Sequence, residues 1–152
     1  MIILNEFIWR QNHDAFHITN TEAMMRICMN GLIPMCGERS RSVGDDTKGI
    51  FFFDCLGSVS NWIDLLYRDR DIYELELLRF NLKGRKWFIH NSDEFYLTNK
   101  VLPNRIEYLR IYDVENNIYL PLNFIDYIDD KKILVWNGLE EYEPLIKSKG
   151  FK

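Results

Sequence analysis

Short apolar runs bounded by turn residues fill the second half of the chain, and they limit the possible folds more than any other feature. Residues 73–77 alternate apolar side chains with glutamates, which is typical of a strand with one buried face. A Lys-Gly pair at residues 83–84 predicts a hairpin turn to the run 87–89, and Asn116-Asn117 predicts another tight turn. Further strands are expected at residues 95–97, 106–111, 118–120 and 133–136. Strands this short, joined by turns, favour antiparallel pairing.

A helix is predicted over residues 21–30, where apolar side chains recur at the spacing of one helical face. Thr19 and Glu22 have the spacing of a capping box, which would start this helix. Gly31 suits a left-handed C-cap, and Pro34 prevents the helix from continuing.

The segments around this helix complete the expected fold. A short strand or arm is predicted at residues 1–10 and a short strand at residues 15–19, and residues 49–53 form an apolar run typical of a buried strand. Ser58 or Ser60 would cap a second helix. Together these elements predict an α+β fold, with a small split antiparallel sheet or sandwich core and two or three short helices.

Length and composition favour one soluble domain over residues 1–152. The chain has the size of one domain, and 47% hydrophobic with 28% charged residues is ordinary for a globular protein. The apolar runs are all shorter than the roughly 18 residues that a membrane helix needs, so we expect no membrane span.

Cysteine content and charge narrow the chemistry. Three cysteines without Cys-x-x-Cys spacing argue against a disulfide framework and a cysteine zinc site. The N-terminal sequence lacks a signal-peptide pattern, so we expect a cytoplasmic protein with reduced thiols and no metal. A net charge of −4 disfavours binding of nucleic acid over a broad basic surface.

Three side chains at predicted strand edges attract a functional interpretation. His17 and Phe51 lie within predicted strands, and Glu94 directly precedes another. Each also has a purely structural interpretation. A histidine on an apolar strand is commonly structural, consecutive phenylalanines suit a strand covered on both faces, and an acidic residue at a strand start is commonly solvated.

In order and spacing, these segments resemble the ADP-ribosyltransferase superfamily, in its poly(ADP-ribose) polymerase-like and DarT-like branches. Phe16-His17-Ile18-Thr19, followed by a short helix and Gly31-Leu32-Ile33-Pro34, is similar to the DarT-type opening. The segment Lys48-Gly49-Ile50-Phe51-Phe52-Phe53-Asp54 is similar to the polymerase-type strand Lys-Gly-Ile-Tyr-Phe-Ala-Asp. Glu94-Phe95-Tyr96-Leu97 resembles the segment that carries the family's catalytic glutamate. The resemblance covers roughly residues 15–112 and implies an ADP-ribosyltransferase-like fold.

This resemblance implies cleavage of the bond between nicotinamide and ribose in NAD, with positive charge developing on the ribose. Glu94 would stabilise that charge or activate the acceptor. His17, the second catalytic residue of the pattern, would hydrogen-bond the adenosine-side ribose. The Ile18 backbone would bind the nicotinamide amide, and Thr19 would be a further NAD contact unless it only caps the helix.

The implied nicotinamide pocket is aromatic. Phe51 would stack on the nicotinamide with the face that the family's usual tyrosine offers, and Trp62 would form a second stacking wall. Ser58 and Ser60 straddle the position of the family's amide-binding serine, and the sequence does not choose between them.

An acidic protein needs local cations to bind the pyrophosphate of NAD. Arg39 and Arg41, in a long polar loop at residues 35–48, are the best candidates because guanidinium groups match phosphate oxygens. The alternative for both arginines is that they belong to a solvated loop and do not bind a phosphate.

The function that the resemblance implies is mono-ADP-ribosyl transfer to a macromolecular acceptor, protein or nucleic acid. A basic and aromatic cluster at residues 79–87 would be the nucleic-acid contact, unless it is an exposed hairpin. Toxin, defence and effector roles are all compatible, and the acidic C-terminal stretch could meet an antitoxin-like inhibitor. Two alternatives stay open: a degenerate module that binds NAD or a partner without turnover, and an RNA 2′-phosphotransferase-like enzyme, which the acidic charge disfavours.

Overall fold

Two antiparallel sheets and two α-helices make up the described part of the chain, which has an α+β fold. The computed structural model describes residues 14–35, 48–66, 74–91 and 94–145. The strands are β1 (Asp14–Asn20), β2 (Ile50–Phe52), β3 (Leu75–Asn81), β4 (Trp87–Ile89), β5 (Phe95–Leu97), β6 (Ile106–Asp113), β7 (Ile118–Leu120) and β8 (Lys132–Gly138). The helices are α1 (Thr21–Asn30) and α2 (Leu56–Leu66), with 3-10 helices at Pro103–Arg105, Leu122–Tyr127 and Leu139–Glu141. The predicted strand at residues 1–10 lies outside the described residues.

The predicted α+β class with antiparallel sheets is confirmed. The larger sheet has five strands in the order β1-β3-β6-β7, with β8 also paired to β6. The smaller sheet has three strands in the order β2-β5-β4. None of the helices described is long and apolar enough to cross a membrane.

An isolated residue pair joins the two sheets. The Phe16 N–H donates to the Phe53 carbonyl at 2.9 Å, and the Phe53 N–H donates to the Phe16 carbonyl at 2.8 Å. Because Phe16 belongs to β1 and Phe53 directly follows β2, this pair sets the two strands side by side. β1 therefore connects the large sheet to the small one.

The turn predicted at residues 83–84 exists, but the predicted hairpin is wrong. Gly84 has φ +77° and the Arg85 N–H donates to the Leu82 carbonyl at 2.9 Å, so the chain does turn there. The two flanking strands, however, belong to different sheets: β3 pairs with β1 and β6, whereas β4 pairs with β5. A strand has two edges, and both edges of β3 are already occupied.

The predicted helix 21–30 is confirmed as α1, but its predicted cap is wrong. The Asn20 side chain, not Thr19, accepts the hydrogen bond from the Ala23 N–H, at 2.9 Å. Thr19 is still part of β1. The predicted helix end at Gly31 is confirmed, since Gly31 donates its N–H to the Ile27 carbonyl, but its φ of +79° and ψ of −166° are not those of the predicted left-handed cap.

The second helix begins earlier than predicted. α2 starts at Leu56, so Ser58 and Ser60 lie within the helix and neither is its N-cap. The Ser60 hydroxyl instead donates to the Leu56 carbonyl one turn back, at 3.3 Å. A serine inside a helix, where it cannot act as an N-cap, commonly makes this bond to the carbonyl four residues earlier.

The three consecutive phenylalanines at residues 51–53 have different surroundings. Phe52 is fully buried in the first cluster, beneath α1, together with Met24 and Phe80. Phe53 is buried in the second cluster, which contains residues of α2. Phe51 is half-buried, as expected for a side chain on the face of β2 opposite Phe52.

A buried ion pair crosses the large sheet. Glu76 and Arg110 are only 2% and 8% exposed, and Arg110 Nη1 donates to Glu76 Oε1 at 2.7 Å. Tyr142 donates its hydroxyl to the other carboxylate oxygen at 2.6 Å, and Arg110 also donates to the Glu143 carbonyl. Burial and the adjacent Glu76 carboxylate raise the pKa of Tyr142. The network holds the segment after β8 against the sheet.

Candidate functional site

An open cleft of about 150 Å³ lies between β1, α1 and β2. Two of the three sequence-predicted segments meet there, because His17 and Thr19 line it from β1 and Phe51 lines it from β2. The other side chains that contribute come from α1 and the segments that follow it: Arg26, Ile27, Leu32, Ile33, Met35 and Ile50.

His17 is fixed by a hydrogen bond to the neighbouring strand. Its Nδ1 lies 2.5 Å from the Phe51 carbonyl oxygen. Because a carbonyl only accepts, Nδ1 carries the proton, and Nε2 of the neutral ring is an acceptor. Burial lowers the pKa of the imidazole, only partly offset by the bond to Phe51, so the ring stays neutral at neutral pH. The cleft therefore contains a neutral histidine with a defined tautomer.

Two glycines of the cleft lining pack closely against neighbouring residues behind them. A Cβ on Gly31 would lie 2.0 Å from the Val101 carbonyl oxygen, and one on Gly49 would lie 2.8 Å from the Tyr96 ring. Gly49 also pairs with Met35 through two backbone hydrogen bonds of 3.1 and 3.2 Å. Residues 36–47, which contain Arg39 and Arg41, are outside the described residues. Met35 and Gly49, described residues on the two sides of that segment, line the cleft.

Glu94 lies on the same face of the small sheet as Phe51. Phe51 is paired with Tyr96, so their side chains share a face, and Glu94 is two residues from Tyr96 along the same strand direction. His90 connects them: its Nδ1 lies 3.0 Å from Glu94 Oε1, and its ring meets the Phe51 ring edge-on at 4.9 Å between centroids. The third predicted segment is therefore linked to Phe51 through His90, while the described lining of the cleft includes neither Glu94 nor His90.

Ile18 presents its backbone, and not its side chain, to the edge of β1 that faces β2. The side chain packs against the second hydrophobic cluster. Along a strand, backbone groups two residues apart face the same edge, so the Ile18 N–H and carbonyl point to the edge at which Phe16 pairs with Phe53. Next to that pair, the Phe51 carbonyl accepts a hydrogen bond from the His17 side chain.

The predicted residues of α2 lie elsewhere. The Trp62 ring packs on Phe53 at 5.8 Å between centroids and belongs to the second hydrophobic cluster. The Ser58 hydroxyl lies 3.4 Å from the Cys55 sulfur, and Ser60 bonds within the helix. Within the described residues, the lining of the cleft includes none of these three side chains.

Two members of the basic and aromatic cluster at residues 79–87 make contacts within the fold. Arg79 donates to Glu107 at 2.7 Å and lies 4.2 Å over the Trp136 ring. Trp87 packs against the first hydrophobic cluster and meets Phe95 edge-on. This arrangement gives two of the members structural roles.

Two residues of the site were missed in the sequence. Arg26 lines the cleft from α1, where its helical position gave no sign of a ligand. His90 stands four residues before Glu94, a spacing that could have suggested a pair across a short strand connection.

The polar groups of the cleft suit an organic ligand with hydroxyls and an anionic part. Imidazole Nε2 is an acceptor, the Thr19 hydroxyl both donates and accepts, and Arg26 donates with a positive charge. Across the described ranges, His, Cys, Asp and Glu side chains form no group of three or more that could hold a metal ion. Comparisons of the chain with protein-family models, curated proteins and solved structures found no match.

Proposed function

We propose that this protein is an NAD-dependent mono-ADP-ribosyltransferase with an ADP-ribosyltransferase-like fold. One observation carries the proposal: three segments far apart in the chain, each similar to a family motif, are connected through side chains at one cleft. His17 and Phe51 line the cleft, and Glu94 is linked to Phe51 through the ring of His90. Distant segments that share a site by chance would not be expected to supply three complementary chemical roles.

His17 suits the binding of a ribose. Its Nδ1 is occupied by the Phe51 carbonyl, and a neutral Nε2 accepts a hydrogen bond from a hydroxyl. A protonated ring would offer only donors and would repel the cationic nicotinamide ring of NAD. The lowered pKa of His17 keeps the required form at neutral pH.

Ile18 and Phe51 suit the nicotinamide. A carboxamide needs one donor and one acceptor, and the backbone N–H and carbonyl of Ile18 face the edge between β1 and β2. The half-buried Phe51 ring at the cleft wall offers an apolar aromatic surface for stacking.

Glu94 suits the chemical step. The bond between the ribose C1′ and the nicotinamide nitrogen breaks, and its electron pair leaves with neutral nicotinamide. A nucleophilic atom of the acceptor bonds to C1′, and its proton passes to the Glu94 carboxylate or to solvent. A carboxylate beside the ribose stabilises the positive charge that develops there.

The pyrophosphate would be bound at the rim of the cleft. A volume of about 150 Å³ is below the roughly 300–1,000 Å³ of typical ligand sites, so the described walls would enclose only part of NAD. Arg26 is the cation in the described lining, and Arg39 and Arg41 lie in the sequence between Met35 and Gly49, two residues that line the cleft. The macromolecular acceptor, protein or nucleic acid, would approach from the open side.

Nicotinamide release from NAD by the purified protein tests the proposal. Glu94→Gln should lower the rate at least ~100-fold while calorimetric NAD binding stays near that of the wild type. Glu115→Gln, which changes an exposed glutamate on a turn of the large sheet, is the matched control. Equal rates for wild type and Glu94→Gln would refute the role of Glu94. Absence of both NAD binding and release in the wild type would refute the proposed function.

NAD binding without turnover is the second candidate. It is favoured by Phe51, which lacks the hydroxyl of the family's usual tyrosine, and by Ile18, which stands where polymerase-type members have glycine. Calorimetric binding with no release of nicotinamide by the wild type would identify this case.

A further inference from the structure

The Glu94 carboxylate is held by a histidine from the adjacent strand. His90 directly follows β4 and Glu94 directly precedes β5, and the two strands are antiparallel neighbours. Nδ1 of His90 lies 3.0 Å from Oε1 of Glu94, and the side chains are 21% and 16% exposed. The pair is therefore largely withdrawn from water, where such a contact is stronger than at the surface.

The backbone fixes both partners. The His90 and Asn91 N–H groups both donate to the Glu94 carbonyl, at 3.0 and 3.1 Å. The Glu94 N–H in turn donates to Asn91 Oδ1 at 3.0 Å. These three bonds close the connection between β4 and β5, so the two side chains start from a defined geometry.

The geometry also defines the proton on His90. An unprotonated nitrogen 3.0 Å from a carboxylate oxygen would place two acceptors in contact, so Nδ1 carries the proton. The amide nitrogen of Asn91 is at the longer distance of 3.4 Å and lies on a side chain whose oxygen is already bonded to the Glu94 N–H. The carboxylate contact is thus the shorter of these two.

His90 contacts the stacking wall as well. Its ring meets Phe51 edge-on at 4.9 Å and Tyr96 edge-on at 6.3 Å between centroids. One imidazole therefore links the carboxylate to the aromatic side chain that lines the cleft.

We propose that His90 is a positioning residue, which orients the Glu94 carboxylate relative to the Phe51 ring for cleavage of NAD; this inference rests on the proposed function. A carboxylate that stabilises a developing charge is most effective when it is oriented before the reaction. The Nδ1–H bond fixes one oxygen, and with it the plane of the carboxylate. Loss of the bond should therefore affect the chemical step more than NAD binding.

Three substitutions at residue 90 separate this role from others. His90→Ala removes the donor, His90→Asn restores an N–H near the position of Nδ1, and His90→Gln places one near Nε2. For His90→Ala we expect kcat of nicotinamide release to fall about 10–100-fold, with KM for NAD nearly unchanged. His90→Asn should recover most of the rate and His90→Gln should not. An unchanged rate in His90→Ala, or recovery by Gln but not by Asn, would overturn the proposal.

A measurement without turnover distinguishes failure of this inference from failure of the proposed function. The ¹⁵N NMR shifts of the His90 ring should report a protonated Nδ1 in the wild type and should change in Glu94→Gln. A ring with unprotonated Nδ1, or shifts unaffected by Glu94→Gln, would refute the pairing even if the protein cleaves NAD. A wild type that shows the pairing but neither binds nor cleaves NAD would refute the proposed function, and with it the positioning role.

Discussion

Replacement of Gly31 by alanine should destabilise the protein strongly, because two independent features of the structure oppose a side chain there. The backbone has φ +79° and ψ −166°, a region that is essentially restricted to glycine. A Cβ would also lie 2.0 Å from the backbone oxygen of Val101. That oxygen accepts a hydrogen bond from the Leu32 N–H at 2.9 Å, and the Val101 N–H donates to the Leu32 carbonyl at 3.0 Å.

The expected loss follows from these two features. The backbone region alone costs about 1–3 kcal/mol for a residue with a side chain. Relief of the contact requires Leu32 and Val101 to separate, and each of their two hydrogen bonds contributes about 0.5–1.5 kcal/mol. Together the contributions give about 2–6 kcal/mol, which is a large part of the roughly 5–15 kcal/mol that stabilises an ordinary domain.

Urea unfolding of Gly31→Ala and Gly84→Ala measures this difference. Gly84 has a similar φ, +77°, but a Cβ there would meet no atom within 4 Å. Gly84→Ala should therefore lose only the backbone contribution of about 1–2 kcal/mol. Equal losses in the two variants would show that the Val101 contact does not restrict residue 31, and the reasoning would be refuted.

The buried ion pair and the cleft histidine give two further predictions. Arg110→Met should lower the free energy of unfolding by about 3–5 kcal/mol, because it leaves the Glu76 carboxylate buried without its guanidinium, and adding Glu76→Leu should recover part of the loss. A double variant no more stable than Arg110→Met in a denaturation cycle would contradict this. For His17, burial holds the folded pKa below the ordinary 6.5, so the unfolded state binds the proton first as the pH falls. The stability is thus complete above pH 6.5 and is lost as the pH falls towards the folded pKa; urea unfolding at several pH values should show a shallower loss in His17→Gln, and identical slopes would contradict the assignment.

Local signals in the sequence were sufficient for much of the fold. The helix over residues 21–30 and its end at Gly31 depend on apolar spacing and on a backbone conformation that favours glycine. The Asn116-Asn117 turn also forms, with Asn117 at φ 55° and its N–H donating to the Asp113 carbonyl. Such features depend on neighbours in the chain, so the sequence alone can indicate them.

Features that depend on competition between partners were not predictable in this way. The turn at Gly84 does not form a hairpin, because β3 has β1 and β6 as neighbours. Either Thr19 or Asn20 could cap α1 by residue type. Because β1 extends through Asn20 and the helix begins directly after it, Asn20 occupies the N-cap position.

The same distinction applies to the candidate site. His17, Thr19 and Phe51 line one cleft, in agreement with their grouping from the sequence. Trp62 packs on Phe53, because the helix that carries it covers the second hydrophobic cluster. The contact of His90 with Glu94 depends on the pairing of β4 with β5, which the four-residue spacing is compatible with but does not establish.

The isolated Phe16–Phe53 pair has a consequence for exchange of backbone amides. His17 belongs to the large sheet and Glu94 to a connection of the small sheet. A ligand that contacts both therefore spans the joint between the sheets, which the Phe16–Phe53 pair forms. Any opening of the joint would break the site, and a ligand with affinity only for the closed form slows such opening by mass action. Deuterium uptake at Phe16 and Phe53 would then become a sensor of occupancy, even though neither amide touches the ligand.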